Sequence, residues 1–177
     1  MATFRDSDLS YTDDAGDVRE SLDWAILKNG PIALFHKPAV LDGSVAWLTR
    51  RGYSVAVADC GPDPSKQGVL DAITIALGFP AGTNLDGFND YCWQVEVPDD
   101  GGFALVLLHY DRVAVTDRKL AETVLDIVAG SAWDKLLFGR RLICLVQSDD
   151  PRLDFGPVGG RAPMWNPREW LFRDRGL

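Results

Sequence analysis

The sequence predicts an α/β fold, with about four mainly parallel strands flanked by helices in a single domain. Three observations predict it. Short apolar runs of strand length alternate along the chain with longer stretches of helical period. One of those runs, residues 103–109 (FALVLLH), is almost continuously apolar, as a strand covered on both faces must be. Finally, 177 residues with 46% hydrophobic content can bury a sizeable core without disulfides or metal. The order β-α-β-α-α-β-α-β then implies right-handed crossovers, because strand twist favours that hand.

Residues 1–20 hold six acids and two arginines, with no apolar stripe before Val18. Residues 1–16 are therefore expected to form a mobile acidic arm. From Asp17 the period becomes helical: Val18, Leu22 and Ala25/Ile26 recur up to Asn29-Gly30, a good helix stop. Residues 31–35 (PIALF) read as the first strand, 41–51 as a helix closed by Gly52, and 53–58 as the second strand. Asp63-Pro64-Ser65 opens a helix striped by Val69, Ala72/Ile73 and Ala76/Leu77, which stops at Gly78. A helix over 83–95, the strand FALVLLH, a long helix over 117–138 with Gly130 as a candidate break, and the strand 142–146 (LICLV) complete a domain spanning 17–150. Residues 151–177 differ, with four of the ten prolines and five arginines against three acids. They read as a C-terminal extension that Trp165 and Trp170 pack onto the domain.

Composition narrows the function. Lys and Arg total 18 against 26 Asp and Glu, a net charge of −8. Such a surface repels nucleic-acid phosphates and anionic lipid, and suits a basic protein partner that it can steer in at long range. The competing reading is an acidity that serves only to keep the protein soluble. The opening MATFRDSDLSYTDD has neither a basic nor an apolar leader region, and no apolar run approaches the ~18–20 residues of a membrane span. Three widely spaced cysteines (Cys60, Cys92, Cys144) read as reduced, buried thiols, which suits the cytoplasm.

No metal or cofactor is expected, since CxxC, HxxxH and HExxH are all missing. Asp99-Asp100-Gly101-Gly102 is turn chemistry, and the glycine run at 156–161 does not lie between a strand and a helix, so it is no phosphate cradle. His36 and His109 are the only histidines. Cys92 or Cys60 with His109 would be the one imaginable nucleophile–base pair. However, Cys92 falls on the apolar side of its helix. Cys60 follows the second strand, near where α/β proteins bind ligands, but a lone thiol there is more often structural. No catalytic residue is assigned.

Residues 82–95 (GTNLDGFNDYCWQV) hold the strongest signal. Thr83 followed three residues later by Asp86 resembles a capping box, with the acid favoured by the helix dipole. At roughly 100° per residue, Leu85, Phe88, Cys92 and Val95 share a sector of about 80°, the core side. Asp86, Asp90 and Trp93 share another, with Asn89 beside them. Like charges at i, i+4 cost a few tenths of a kcal/mol, but an acidic ridge beside an aromatic is a good anchor for Arg and Lys. A plain solvated face is the competing reading of the same pattern.

Gly78-Phe79-Pro80, followed by Gly82-Thr83-Asn84-Leu85-Asp86-Gly87-Phe88-Asn89-Asp90, resembles the signature of the barstar family of ribonuclease inhibitors. There an amphipathic helix, a Pro and a short Gly-containing loop lead into Asn-Leu-Asp at the start of a second helix, with another Asp four residues later. The resemblance covers roughly residues 53–147, taking in FALVLLH, Ala121-Glu122-Thr123-Val124-Leu125 and LICLV. It implies a barstar-like fold and an inhibitor without catalysis, a monomer that forms a heterodimer by plugging the active site of a secreted, microbial-type ribonuclease. By position, Asp90 matches the family acid that sits in the phosphate pocket and Asp86 its helical neighbour. Gly82, Asn84 and Leu85 match positions that contact the enzyme.

The departures are specific. The loop at 80–82 is shorter than the family's and lacks its tyrosines. Asn89 stands where the family often has Trp, and Trp93 offers an aromatic one turn later. The acid that the family supplies from a later helix has no clear match, and Asp134 is only a guess at its place. Partner-binding residues are thus expected to be Gly82, Asn84, Leu85, Asp86, Asn89, Asp90 and Trp93. The alternatives are an immunity protein against a toxin that is not a ribonuclease, and an interaction module that inhibits nothing.

Overall fold

The computed structural model of the chain describes residues 10–12 and 18–177. An antiparallel pair joins β1 (Ser10–Thr12) to β2 (Val18–Glu20). Five further strands form one all-parallel sheet: β3 (Ile32–Phe35), β4 (Tyr53–Asp59), β5 (Gly102–Leu108), β6 (Leu142–Gln147) and β7 (Met164–Trp165). Their spatial order is β4-β5-β6-β3-β7. The expected α/β fold is present.

Strand alternation divides the core in two. Ile32, Leu34, Ala56, Leu105, Leu107, Cys144 and Val146 point to one face. There they meet α3 (Lys66–Ala76), α4 (Leu85–Gln94), α5 (Tyr110–Thr116) and α6 (Arg118–Leu136). Ala33, Phe35, Tyr53, Ala104, Val106, Ile143 and Leu145 point to the other face, against α1 (Leu22–Leu27) and α2 (Pro38–Arg50). Strands β3 and β6 are buried at every position, whereas β4, at the sheet edge, alternates between buried and exposed residues. A strand covered on both faces needs apolar residues throughout, and an edge strand does not. The crossover from β3 runs to the far edge by way of α2 on one face. The two steps back through β5 to β6 use helices on the other. This is the two-sided winding that right-handed crossovers require.

Several expectations need correction. The acidic arm expected over 1–16 lies, apart from residues 10–12, outside the described residues. Residues 18–20 are strand and not helix, and α1 begins only at Leu22, because extended Ser21 (φ −64°, ψ 142°) is the last residue before helical geometry. Helix α2 starts earlier than expected, with Pro38 in its first turn, where a missing N–H costs nothing. Gly130 does not break α6: it sits in open space on a continuous 19-residue helix. Helix α5 and strand β7 are among the elements that the sequence does not predict. Helix α5 follows directly on β5, and β7 adds the C-terminal extension to the sheet beside β3. Within that extension Trp165 packs against the core, while Trp170 is 51% exposed. Among the described residues no helix is long and apolar enough to cross a membrane.

Candidate partner-binding face

Helix α4 is capped by Asn84, one residue later than the Thr83 expected from sequence. The Asn84 side chain accepts a hydrogen bond from the Gly87 N–H at 2.9 Å. Thr83 instead packs its hydroxyl so close to Gly87 that a Cβ there would lie 2.3 Å from it. Only glycine at position 87 permits that approach. Asp86 stands in the first turn, where the helix dipole favours an acid.

The inner side of α4 is fastened. Phe88 and Cys92 are buried, and Val95 just beyond the helix joins them. Leu85 is half-buried against the same core. Two side chains of α6 grip the last turn: the Ser131 hydroxyl donates to the Cys92 carbonyl at 2.8 Å, and the Lys135 ammonium to the Trp93 carbonyl at 2.8 Å. Partial burial holds the Lys135 pKa below its usual value. The helix is therefore held on one side and presents the other to solvent.

That outer side carries Asp86, Asn89 and Asp90, all exposed, and Trp93, which is 55% exposed. Gly82 and Asn84 are exposed in the preceding loop, and Gly82 has φ +86° with open space around it. Among the described residues neither Asp86 nor Asp90 has an ion-pair partner, whereas Asp23, Asp99, Asp149 and Glu122 do. Asp134, the residue before Lys135 on α6, is half-buried. Nearby in the chain, Leu137 and Phe138 are exposed apolar residues that sequence reading passed over.

A comparison with family models matches residues 53–144 to Barstar (barnase inhibitor). That is just over half of the chain. The chain belongs to the barstar family. No curated protein matches it. The match starts at β4 and runs into β6, so it contains α3, α4 and the loop between them. All four helices on one face of the sheet, α3 to α6, lie within the match, while α1, α2, β3 and β7 lie outside it.

The thiol–base pairing imagined from sequence is not assembled in this barstar-family chain. Cys60 and Cys92 are buried, and desolvation pushes each thiol up to about 12. His109 faces carboxylates instead, with Nδ1 2.8 Å from Asp59 Oδ1 and Nε2 3.9 Å from Asp149. Slight burial raises Asp59, but the Gly61 N–H, the His109 ring and Arg112 outweigh it, and its carboxyl stays below the usual range. His109 adopts a left-handed backbone (φ 53°) and donates its N–H to Gln147 Oε1 at 2.8 Å. The cluster thus ties the ends of β4, β5 and β6 together.

The crevice outside the ends of β6 and β3 is where an open α/β sheet would accept a ligand. Here the C-terminal extension fills it. Glu169, fully buried, accepts the N–H groups of His36 (2.9 Å) and Lys37 (2.7 Å) at the start of α2. The glycine run at 156–161 closes a tight turn whose Gly159 N–H is already taken by Asp126 at 2.7 Å. Among the described residues no group of His, Cys, Asp and Glu could hold a metal ion.

Proposed function

We propose that this barstar-family protein is an intracellular inhibitor that blocks the active site of a basic, microbial-type secreted ribonuclease with residues 82–96. The observation that carries this reading is the pair Asp86 and Asp90. Both are exposed on the outer face of a helix locked from behind, and neither is committed to a cation of its own. A ribonuclease site is lined with Arg, Lys and His to bind phosphate, and a carboxylate inserted there makes charge-assisted hydrogen bonds in a phosphate's place. Asp90 is the acid assigned to that pocket. Asp86 and Asn89 flank it, Gly82, Asn84 and Leu85 supply the rim, and Trp93 the aromatic anchor. A rigid helix spends little entropy on docking, and a net charge of −8 steers a basic enzyme toward it. Binding is one-to-one, with no nucleic acid, membrane or cofactor involved.

The short, tyrosine-free loop at 80–82 favours one alternative: a toxin other than a ribonuclease, held by the same acidic face.

The test is titration of a panel of purified microbial ribonucleases, barnase included, with the parent protein and with Asp90→Ala. Stoichiometric inhibition is expected from the parent. Asp90→Ala should weaken it by at least ~2 kcal/mol, about 30-fold in Kd, as for a charge paired across an interface. Its melting temperature should not move, because the side chain is exposed. Inhibition untouched by Asp90→Ala would remove α4 from the interface. If the parent inhibits no enzyme of the panel, the ribonuclease reading falls.

A further inference from the structure

Behind the proposed binding face, α3 holds the loop that leads into α4. The Asp71 carboxylate accepts the N–H of Gly82 at 2.7 Å, through the same oxygen that accepts from Gln67 Nε2 at 2.8 Å. Gln67 also reaches the Thr83 carbonyl at 3.4 Å. Gln67 and Asp71 stand four residues apart, so both project from one side of α3, along which the chain folds back after Gly78. The other end of the loop is fastened too. The Phe79 N–H donates to the Thr74 carbonyl at 2.9 Å, and the Phe79 ring stacks on Tyr91 of α4 with centroids 4.5 Å apart and planes within 6°.

From these contacts we infer that Asp71 is a positioning residue for the partner-binding segment. Its carboxylate pins Gly82 in the left-handed turn that starts α4 at Asn84, and so fixes where Asp86 and Asp90 point. This inference rests on the function proposed above and deepens it.

The physical argument is one of preorganisation. Pro80, Ala81 and Gly82 are exposed, make a short link, and include a glycine at φ +86°. Glycine has the widest backbone freedom of any residue, so nothing in its own chemistry holds that conformation. An unpinned loop of this kind must be ordered when a partner arrives, and affinity falls by that cost. A carboxylate accepting the Gly82 N–H orders the loop beforehand. The shortness of this loop, and its lack of tyrosines, make such a fastening more consequential, since few other side chains are present to hold it. Asp71 itself is half-buried beneath the loop, set back from the exposed ridge.

Two variants separate positioning from direct contact. Asp71→Asn keeps an oxygen that can accept from Gly82 but removes the charge, whereas Asp71→Ala removes both. Two measurements are made on each full-length protein: amide exchange at Gly82 in the free state, and affinity for barnase. A pinned loop predicts that Asp71→Ala accelerates Gly82 exchange by about tenfold or more and weakens binding about tenfold, chiefly through faster dissociation. Asp71→Asn should stay within about threefold of the parent in both.

Gly82 exchange that is the same in Asp71→Ala as in the parent would overturn the inference. So would an Asp71→Asn variant that keeps Gly82 protected yet binds as poorly as Asp71→Ala, because the charge would then be the contact. If the parent binds neither barnase nor any other ribonuclease of the panel, the functional reading fails separately. The exchange rates of the free proteins then decide the pinning by themselves.

Discussion

Replacing Arg141 by Ala is expected to destabilise the protein by about 3–5 kcal/mol, the usual cost of stranding one half of a buried ion pair. Arg141 donates through NH1 to Asp23 at 3.0 Å, with side-chain exposures of only 15% and 3%. The same Asp23 oxygen accepts the Tyr53 hydroxyl at 2.7 Å, while Arg141 Nε reaches the Gly101 carbonyl at 3.1 Å. One buried carboxylate therefore joins α1, the start of β4, the turn before β5 and the start of β6. Without the guanidinium the Asp23 carboxylate loses its ion-pair partner in a site with little water. Exchanging both partners together, as in Asp23→Asn with Arg141→Met, should cost much less, because no charge is then left behind. Urea denaturation of the parent, both single variants and the double variant gives the coupling directly. Equal losses for the double and single variants would contradict this account.

Tyr53 adds a pH signature to the same cluster. Burial, and then the Asp23 charge and hydrogen bond, raise its pKa well above the ordinary value of 10.0. A raised folded-state value means that the stability is fully present below the unfolded tyrosine's pKa. It is lost as pH climbs above about 10, where only the unfolded phenol ionises. Stability measured at pH 9 and pH 11 should therefore drop in the parent. In Tyr53→Phe, which lacks the ionisable group, the drop should be smaller.

How far the sequence can be read depends on how local the controlling interaction is. Strands β3, β5 and β6 were legible because burial on both faces forces unbroken apolar runs. The two sides of α4 were legible because its apolar and acidic residues follow the helical period. The cap falls one residue later than expected, since Thr83 and Asn84 are both good cap residues and it is the Asn84 side chain that accepts the Gly87 N–H. Strand β7 is two residues long, too short to show a period, and its partners in β3 lie 131 residues away in the chain. Asp71 gave no signal at all. An acid on the polar side of an amphipathic helix looks the same whether it meets water or a loop folded back from eleven residues on. What escaped notice was non-local hydrogen bonding, which leaves no periodic mark on composition.

The largest such contact supports the second strong prediction: Glu169→Ala should cost about 3–5 kcal/mol and free the C-terminal extension. The Glu169 carboxylate takes the N–H groups of His36 and Lys37 and a 2.6 Å hydrogen bond from Asn166, whose amide also holds the Leu34 carbonyl at 3.1 Å. Arg175 donates to the carbonyls of Glu169 and Pro151 and lies 4.5 Å from the centre of the Trp165 ring. Removing the carboxylate takes the acceptor from two N–H groups at the start of α2 and from the Asn166 amide. For a chain of this size the loss corresponds to a fall of about 10 °C in melting temperature, and limited proteolysis should then cut first within residues 150–177. Glu169→Gln should fall between parent and alanine, because its amide keeps one acceptor but turns a second donor toward donors. The proposed binding face lies on helices packed against the opposite face of the sheet from α2. Inhibition by Glu169→Ala, measured well below its melting temperature, should therefore match the parent. If it is lost while α4 stays folded, the extension takes part in binding, and the separation drawn here between anchor and acidic face does not hold.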